Sequence, residues 1–277
     1  MILRKGRLSA AVFLALFLSA FLVKASPAFA AIPNTVFLLD LTWTELHHLI
    51  RKGKTTIIIP VGGTEENGPQ MALGKHDVRV RILAEKIARR LGNALVAPVI
   101  AYVPEGRIHP PTGHMGFPGT ITIPIGSFEG LLEGAARSMK SAGFRDIVFI
   151  GDHGSYQREL KIVADRLDRR WAKTAVRAHA ILEYYRASYQ GFNHLLERRG
   201  YKPAEVGTHA GLADTSLLLA VAPSLVRMDV LHSGVKFGAK DGVYGDPRRA
   251  SAALGELGVK MIIEHTVAAI KKAVARR

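Results

Sequence analysis

Residues 55–77 read TTIIIPVGGTEENGPQMALGKHD, and this stretch indicates how the rest of the chain folds. The β-branched run from Thr55 to Ile59 is typical of a buried strand. Pro60 has no backbone N–H to donate, so we predict that it ends the strand. The loop that follows carries polar side chains that could bind a ligand, namely Glu65, Glu66, Asn67, Gln70, His76 and Asp77. In α/β proteins such loops at the carboxyl ends of strands hold the functional groups, so this loop is the first candidate site.

Short apolar segments alternate with amphipathic ones along the rest of the chain. Strands are predicted at residues 94–100, 120–124, 147–150 and 176–182. Helices are predicted at residues 78–91, 128–142, 157–170, 186–199, 212–222 and 257–272. Strands that alternate with helices build a mostly parallel sheet that is covered on both faces. We therefore predict an α/β fold, a single-domain three-layer α/β/α structure that spans residues 31–277.

The N-terminal 30 residues have the pattern of a secretory signal peptide. Arg4, Lys5 and Arg7 precede an apolar run, Leu8 to Val23, and Ala-Phe-Ala at residues 28–30 supplies a cleavage motif. The apolar run is shorter than the roughly 20 residues that cross a bilayer, so an uncleaved anchor is the weaker alternative. The sequence predicts cleavage after Ala30, export, a periplasmic location and no stable membrane insertion.

The composition argues against nucleic-acid binding. The formal net charge is +15, and four basic residues belong to the signal segment. The remaining basic residues are scattered and are not massed with aromatic side chains, so no nucleic-acid surface is predicted. The chain has no cysteine, which means that its core and not disulfides must stabilise an exported protein. A small-molecule substrate is the expected partner.

Two further polar loops follow predicted strands. The first is Gly-Asp-His-Gly-Ser at residues 151–155, which brings His153 and Ser155 beside a helix start. Ser155 lacks the Gly-x-Ser-x-Gly context of a nucleophile elbow, so a serine hydrolase is not predicted. The second, at residues 207–216, contains His209 and Asp214. His114 lies on a third loop, 103–119, where it could be either a metal ligand or part of a substrate wall.

Carboxylates and imidazoles without cysteine suit a divalent ion such as Zn²⁺, Mn²⁺ or Fe²⁺. Loops that leave the same edge of a parallel sheet can converge, so Glu65, His76, His153 and His209 could meet there. A metal at this edge would lower the pKa of bound water toward ~7. Asp214 or Glu66 could then transfer the proton. Metal ligands on separate loops follow no fixed spacing, so spacing alone does not identify them. The alternative for each of these residues is a turn or capping role.

The segment PVGGTEENGPQMALGKHD resembles the signature of the creatininase (creatinine amidohydrolase) family. The resemblance continues through LTWTEL, FPGTITIP, GDHGS, THAGLADTSLLLAVAPSLV and GVYGDPRRASAALG, in chain order. It implies a metal-dependent hydrolase of an amide or cyclic amide. It also implies a homo-oligomer with two neighbouring metal sites.

The family's functional residues can be matched to this sequence one by one, and some positions depart from the family pattern. Glu65 matches the first family ligand, His153 the histidine of the Gly-His motif and His209 the catalytic histidine. Asn67 stands in the place of a ligand histidine, and His76 in the place of the bridging aspartate. Because a neutral imidazole normally binds one metal, we predict one ion per chain, held by Glu65, His76 and His153.

The expected activity is hydrolysis of a C–N bond in a substrate other than creatinine. His209, Asp214 and Glu66 are the predicted catalytic residues, with Asp214 orienting His209. The predicted substrate contacts are Asn67, His114 and Ser155. Two alternatives stay open: another reaction on the same scaffold, such as deformylation or peptide trimming, and a periplasmic binding protein without catalysis.

Overall fold

The computed structural model describes residues 32–275, so the predicted signal segment lies outside the described residues. The strands are β1 (Thr56–Val61), β2 (Ala94–Val96), β3 (Asp146–Gly151) and β4 (Arg177–Ala180). All pairings are parallel, in the order β2-β1-β3-β4. Every residue of β1 and β3 is buried, as expected for central strands that are covered on both faces. The predicted parallel α/β sheet is confirmed.

Ten α-helices accompany the sheet within residues 32–275. Their bounds are α1 (Trp43–Arg51), α2 (Lys75–Leu91), α3 (Ile125–Ala142), α4 (Gln157–Arg170), α5 (Glu183–Arg186), α6 (Phe192–Arg198), α7 (Pro203–Val206), α8 (Leu212–Val221), α9 (Met228–Leu231) and α10 (Ala252–Val274). A π-helical turn, Ala187–Gly191, joins α5 to α6. No helix in this part of the chain is long and apolar enough to cross a membrane.

Two groups of helices cover the sheet. Helices α3 and α4 pack on each other and on β3, while α2 packs on β1 and β2 and also contacts α10. Helix α10 in turn packs on α8 and α5. One apolar core runs through these layers from β1 and β3 into α2, α4 and α10. Burial of this apolar surface is the main stabilising contribution to such a fold.

Three local predictions are corrected. Pro60 does not end β1, which continues to Val61. The Pro60 carbonyl accepts from the Ile100 N–H, which lies beyond the last residue of β2. The ladder therefore needs no N–H from Pro60 at this position. Residues 120–124 are extended but pair only through isolated bonds, such as Ile121 N–H to the Thr64 carbonyl, and form no strand. Helix α2 begins at Lys75, so His76 lies in a helix and not in the preceding loop.

Candidate metal and catalytic site

Adjacent strands bring the first two candidate ligands together. Val61, at the end of β1, is paired with Gly151, at the end of β3. Glu65 follows β1 and His153 follows β3, so both side chains leave the same edge of the sheet. Asp77 fixes the loop after β1, because its carboxylate accepts from the Gly63 N–H (2.9 Å) and the Thr64 hydroxyl (3.2 Å).

The side chains of Glu65, His114 and His153 converge on one point. Glu65 Oε2 lies 3.3 Å from His114 Nε2 and 3.3 Å from His153 Nε2. This oxygen is buried and has no hydrogen-bond partner among the described residues. One donor atom from each residue lies within 4.8 Å of the others, a spacing that a metal ion can bridge. One carboxylate and two imidazoles suit Zn²⁺, Mn²⁺ or Fe²⁺, so these residues fit a divalent ion.

The second nitrogen of each histidine faces an oxygen. His114 Nδ1 lies 2.8 Å from Glu66 Oε1. His153 Nδ1 lies 2.9 Å from Ser155 Oγ and 3.2 Å from Glu105 Oε2. Metal-binding histidines commonly donate their other N–H to such a partner, which fixes the tautomer and leaves Nε2 free to bind the ion.

The carboxylates around His114 and His153 favour the charged form of each ring. Burial opposes the charged form of His153, but the carboxylates of Glu65 and Glu105 outweigh burial and raise its pKa. Burial likewise opposes the charged form of His114, but its hydrogen bond to Glu66 and the charge of Glu65 raise its pKa. The surroundings of both rings therefore stabilise a positive charge at this position, whether a proton or a metal ion carries it.

His76 is not part of this group. Its Nε2 lies 2.6 Å from Glu65 Oε1 and its Nδ1 lies 2.6 Å from Asp152 Oδ1. A carboxylate oxygen lies against each ring nitrogen, so neither nitrogen is available to a metal ion. His114 therefore stands in the ligand group where the sequence predicted His76. The sequence had assigned His114 to substrate binding.

The other basic residues at the start of α2 also pair with carboxylates, of which Glu65 and Asp152 are buried and Asp214 is partly exposed. Arg79 Nε donates to Asp152 Oδ1 at 2.8 Å, and its Nη1 donates to Asp214 Oδ1 at 3.0 Å. Lys75 Nζ lies 3.3 Å from Asp214 Oδ2 and 3.4 Å from Glu65 Oε1. Burial alone would raise the pKa of Asp152, but the positive charge of Arg79 and the hydrogen bond to His76 hold it well below its usual range.

His209 lies next to the three-residue group as a neutral imidazole. Its Nε2 donates to the backbone carbonyl of Glu66 at 3.0 Å, and its Nδ1 lies 3.7 Å from Glu65 Oε1. Burial, reinforced by the positive charge of Lys75, lowers the pKa of His209 below its ordinary value. The predicted orienting role of Asp214 is not what the geometry shows, because Asp214 accepts from the Ala210 N–H, Lys75 and Arg79.

Glu66 holds two imidazoles and is a poor base. Burial would raise its pKa, but hydrogen bonds from His114, His209 and the Gly68 N–H lower it to about 2. Glu66 is therefore ionised at neutral pH and binds a proton poorly. Its contacts indicate that it orients His114 and does not make the proton transfer that the sequence had predicted.

Asn67 and Ser155 do not line the cavity, although both were predicted to contact substrate. The Asn67 amide donates to the backbone carbonyls of Glu65 (2.9 Å) and Ala72 (3.1 Å), which shapes the loop from inside. Ser155 contacts His153 Nδ1 and supports that ring.

A cavity of about 370 Å³ opens in front of the site. Its wall includes Lys75, His114, His153, His209, Tyr185 and Tyr189. The two tyrosine rings stack at 5.6 Å with an angle of 7° between their planes. The π-helical turn lies between α5 and α6 and places Tyr185, Tyr189 and Asn193 along this wall. These residues were not predicted, because their segment reads as an ordinary amphipathic helix.

Comparison with known proteins places the chain in one family. The sequence model of the creatininase family, described as creatinine amidohydrolase, matches residues 39–270. The mycofactocin precursor peptide peptidase of Mycolicibacterium smegmatis is 29% identical over 78% of this chain and 82% of the relative. The creatinine amidohydrolase of Pseudomonas putida is 26% identical over 79% of this chain and 85% of the relative.

Solved structures agree on the fold. A crystal structure of creatinine amidohydrolase superposes with a TM-score of 0.72 at 23% identity, covering 87% of this chain and 98% of that chain. The structure titled "Creatininase Mn" gives 0.70 at 24% identity, covering 86% of this chain and 98% of that chain. Because the family model matches residues 39–270, the chain belongs to the creatininase family of amidohydrolases.

Proposed function

We propose that this protein hydrolyses a C–N amide bond with one divalent metal ion held by Glu65, His114 and His153. The observation that carries the proposal is the buried Glu65 Oε2, which faces two imidazole nitrogens at 3.3 Å each and receives no hydrogen bond from the described residues. A divalent ion at such a site polarises a carbonyl group and lowers the pKa of water. Zn²⁺, Mn²⁺ and Fe²⁺ all suit this ligand set.

The chain's own residues would handle the proton. His209 is neutral at pH 7, and its Nε2 proton is committed to the Glu66 carbonyl. Its Nδ1 is therefore free to take up a proton from water during hydrolysis and to return it to the leaving nitrogen. The ring is held between the Glu66 carbonyl and the cavity, so the proton acceptor stays at one place.

The substrate class is a small-molecule or peptide amide other than creatinine. Relatives in this family are named a creatinine amidohydrolase, a peptidase of a precursor peptide and a 3-dehydro-scyllo-inosose hydrolase, so the scaffold accepts diverse substrates. A cavity of about 370 Å³ with stacked tyrosines on its wall has room for more than a single small ring. We further infer from the sequence that the enzyme is exported to the periplasm and forms a homo-oligomer.

The experiment is metal loading followed by a substrate screen. Purified protein lacking residues 1–30 is stripped with a chelator, titrated with Zn²⁺ or Mn²⁺, and incubated with cyclic amides, N-acyl amines and short peptides. Mass spectrometry detects the addition of water. We expect activity only with metal, and its loss in Glu65→Ala and His153→Ala, while His194→Ala, an exposed histidine on α6, serves as the matched control.

Activity that survives both substitutions would contradict the proposed mechanism. Metal binding without hydrolysis of any amide would favour the binding-protein alternative. Release of formate or of terminal residues would identify the deformylase or peptidase variants of the proposal.

A further inference from the structure

Basic residues that are scattered along the sequence come together in the fold. Each of the four strands is preceded by a helix that ends at the same edge of the sheet, because all pairings are parallel. Four segments reach this edge, which we call the amino edge: residues 51–55, 89–93, 140–145 and 169–177. These segments contain eleven Lys and Arg residues and no Asp or Glu.

Hydrogen bonds join the four segments directly. The Lys54 ammonium donates to the Gly92 carbonyl at 2.6 Å. The Arg145 N–H donates to the Thr55 carbonyl at 2.8 Å, and the Arg177 N–H donates to the Arg145 carbonyl at 2.8 Å. Neighbouring strands of a sheet lie about 4.8 Å apart, so four strands bring the segments together within about 15 Å. The amino edge is therefore one continuous basic surface.

Most of this positive charge faces solvent. Eight of the eleven basic side chains are exposed, and Lys54, Lys140 and Arg177 are half-buried. Four carboxylates from adjoining positions offset part of the charge, namely Glu85, Glu133, Asp146 and Asp168. With all four counted, the amino edge still has seven positive charges in excess.

Helix capping explains only part of this pattern. Lys and Arg are favoured in the last turn of a helix by the partial negative charge at its C-terminus, and Arg51 and Arg89 lie in such turns. Lys54, Arg145 and Lys173 each come three residues after a helix ends. The effect of the helix C-terminus falls off within the last turn, so it does not account for these cations.

The opposite edge of the same sheet has a different charge. The carboxyl ends of the strands lead to the cavity, where carboxylates outnumber the permanent cations: Glu65, Glu66, Asp152 and Asp214 against Lys75 and Arg79. An anionic surface is therefore attracted to the amino edge and not to the mouth of the cavity.

We propose that the amino edge is a docking surface for an anionic lipid bilayer. The negative potential of such a bilayer attracts Lys and Arg within about a Debye length, ~8 Å at physiological ionic strength. The aromatic residues of the four segments, Phe144 and Trp171, are both buried, so they offer no platform on which nucleic-acid bases could stack. The chain contacts the headgroups without insertion, and its cavity faces away from the bilayer.

The inference is tested with vesicles. Protein lacking residues 1–30 is mixed with vesicles of equal parts phosphatidylglycerol and phosphatidylcholine, or of phosphatidylcholine alone, and the bound fraction is measured by sedimentation. We expect binding to the anionic vesicles only, and release by about 1 M NaCl, where the Debye length is about 3 Å. The measurement needs neither metal nor substrate, so its outcome is independent of the proposed hydrolase activity.

Two charge variants locate the contact. The edge variant neutralises one exposed cation in each segment: Lys52→Gln, Arg90→Gln, Arg145→Gln and Lys173→Gln. The matched control removes the same charge from exposed residues outside the segments: Arg199→Gln, Lys202→Gln, Lys236→Gln and Lys240→Gln. We expect the edge variant to bind anionic vesicles about tenfold or more weakly than the wild type, and the control to stay within about twofold.

A third variant separates charge from folding. Lys52→Arg, Arg90→Lys, Arg145→Lys and Lys173→Arg together keep all four charges and should bind like the wild type. Circular dichroism checks that each variant is folded. If the edge variant is not, its four substitutions are tested singly, and each should weaken binding.

Three outcomes would overturn the inference. Wild type that does not bind anionic vesicles would remove its basis. Equal losses in the edge and control variants would show that net charge, and not the amino edge, governs binding. Tighter binding to duplex DNA than to anionic vesicles, at equal phosphate and salt concentrations, would overturn the choice of a lipid surface.

Discussion

Glu105 Oε2 lies 3.2 Å from His153 Nδ1, while Nε2 of the same ring faces Glu65 Oε2 at 3.3 Å. Glu105 is 5% exposed, and neither of its carboxylate oxygens has a hydrogen-bond partner among residues 32–275. A buried carboxylate is costly unless it has a partner, and the nearest one is this histidine. The charge of Glu105 favours a proton on the facing Nδ1, which would direct Nε2 toward the metal position.

Replacing Glu105 should weaken metal binding without removing a ligand. We expect Glu105→Gln to reduce Mn²⁺ or Zn²⁺ affinity by about 10- to 100-fold, the range typical for partners of metal-binding histidines. Calorimetric titration of the metal-free protein measures the change. Glu105→Asp should recover part of the affinity, and Glu256→Gln, at an exposed position on α10, should leave it unchanged. Unaltered affinity in Glu105→Gln would contradict this role.

His114 and His76 should respond in opposite ways to alanine substitution. His114→Ala removes a proposed ligand, so we expect loss of tight metal binding from a folded protein. His76→Ala should keep the metal site but lower the free energy of unfolding by about 3–5 kcal/mol, because Glu65 and Asp152 lose a buried partner. Metal titration and urea unfolding of both variants distinguish the roles. Metal loss in folded His76→Ala would restore the ligand set that the sequence predicts.

Much of the fold was readable from the sequence, because its signals are local. The β-branched run of β1 and the amphipathic pattern of α4 both predict their elements from a few neighbouring residues. Parallel pairing then follows from the alternation of strands and helices. The strand predicted at residues 120–124 failed because an apolar, β-branched segment also suits an extended loop that packs on its neighbours.

The candidate site was only partly predictable for the opposite reason. Glu65, His153 and His209 were found because each follows a strand or precedes a helix in a recognisable motif. His114 takes the place of His76 in the ligand group because its side chain points toward Glu65 Oε2. The two histidines are 38 positions apart, and their spacing along the chain does not encode the direction of either side chain. Lys75 and Arg79 were not predicted as site residues, although cations at a helix N-terminus are a signal that carboxylates lie close by.

Export is a prediction that the sequence makes and that a simple fractionation tests. Expression of the full chain in a Gram-negative host should give a periplasmic protein whose N-terminal sequence starts at Ala31, because Ala-Phe-Ala at residues 28–30 is a cleavage motif. Substitution of Ala28 and Ala30 by bulky residues should block processing and leave the precursor with the membranes. A wild-type precursor that remains full-length and cytoplasmic would contradict the prediction.

The buried pair of Asp152 and Arg79 should make the protein sensitive to acid. Burial opposes the ionised form of Asp152, but Arg79 and His76 outweigh it and lower its pKa below the ordinary value of 3.8. A carboxylate with a lowered pKa in the folded state stabilises the fold at pH values above its unfolded pKa. This contribution is lost as the pH falls through the folded pKa. The stability of the metal-free protein should therefore decline below about pH 4.

Asp152→Asn isolates this contribution. At neutral pH the free energy of unfolding of the variant should be lower than that of the wild type by about 3 kcal/mol, because the buried Arg79 loses one of its two anionic partners and keeps only Asp214. The difference should narrow as the pH falls below about 4, because the unfolded wild type then binds a proton at Asp152 while the folded state still holds the carboxylate ionised. Urea unfolding of both metal-free proteins over this range measures the difference. A gap that stays constant with pH would show that Asp152 acts through packing and not through its charge.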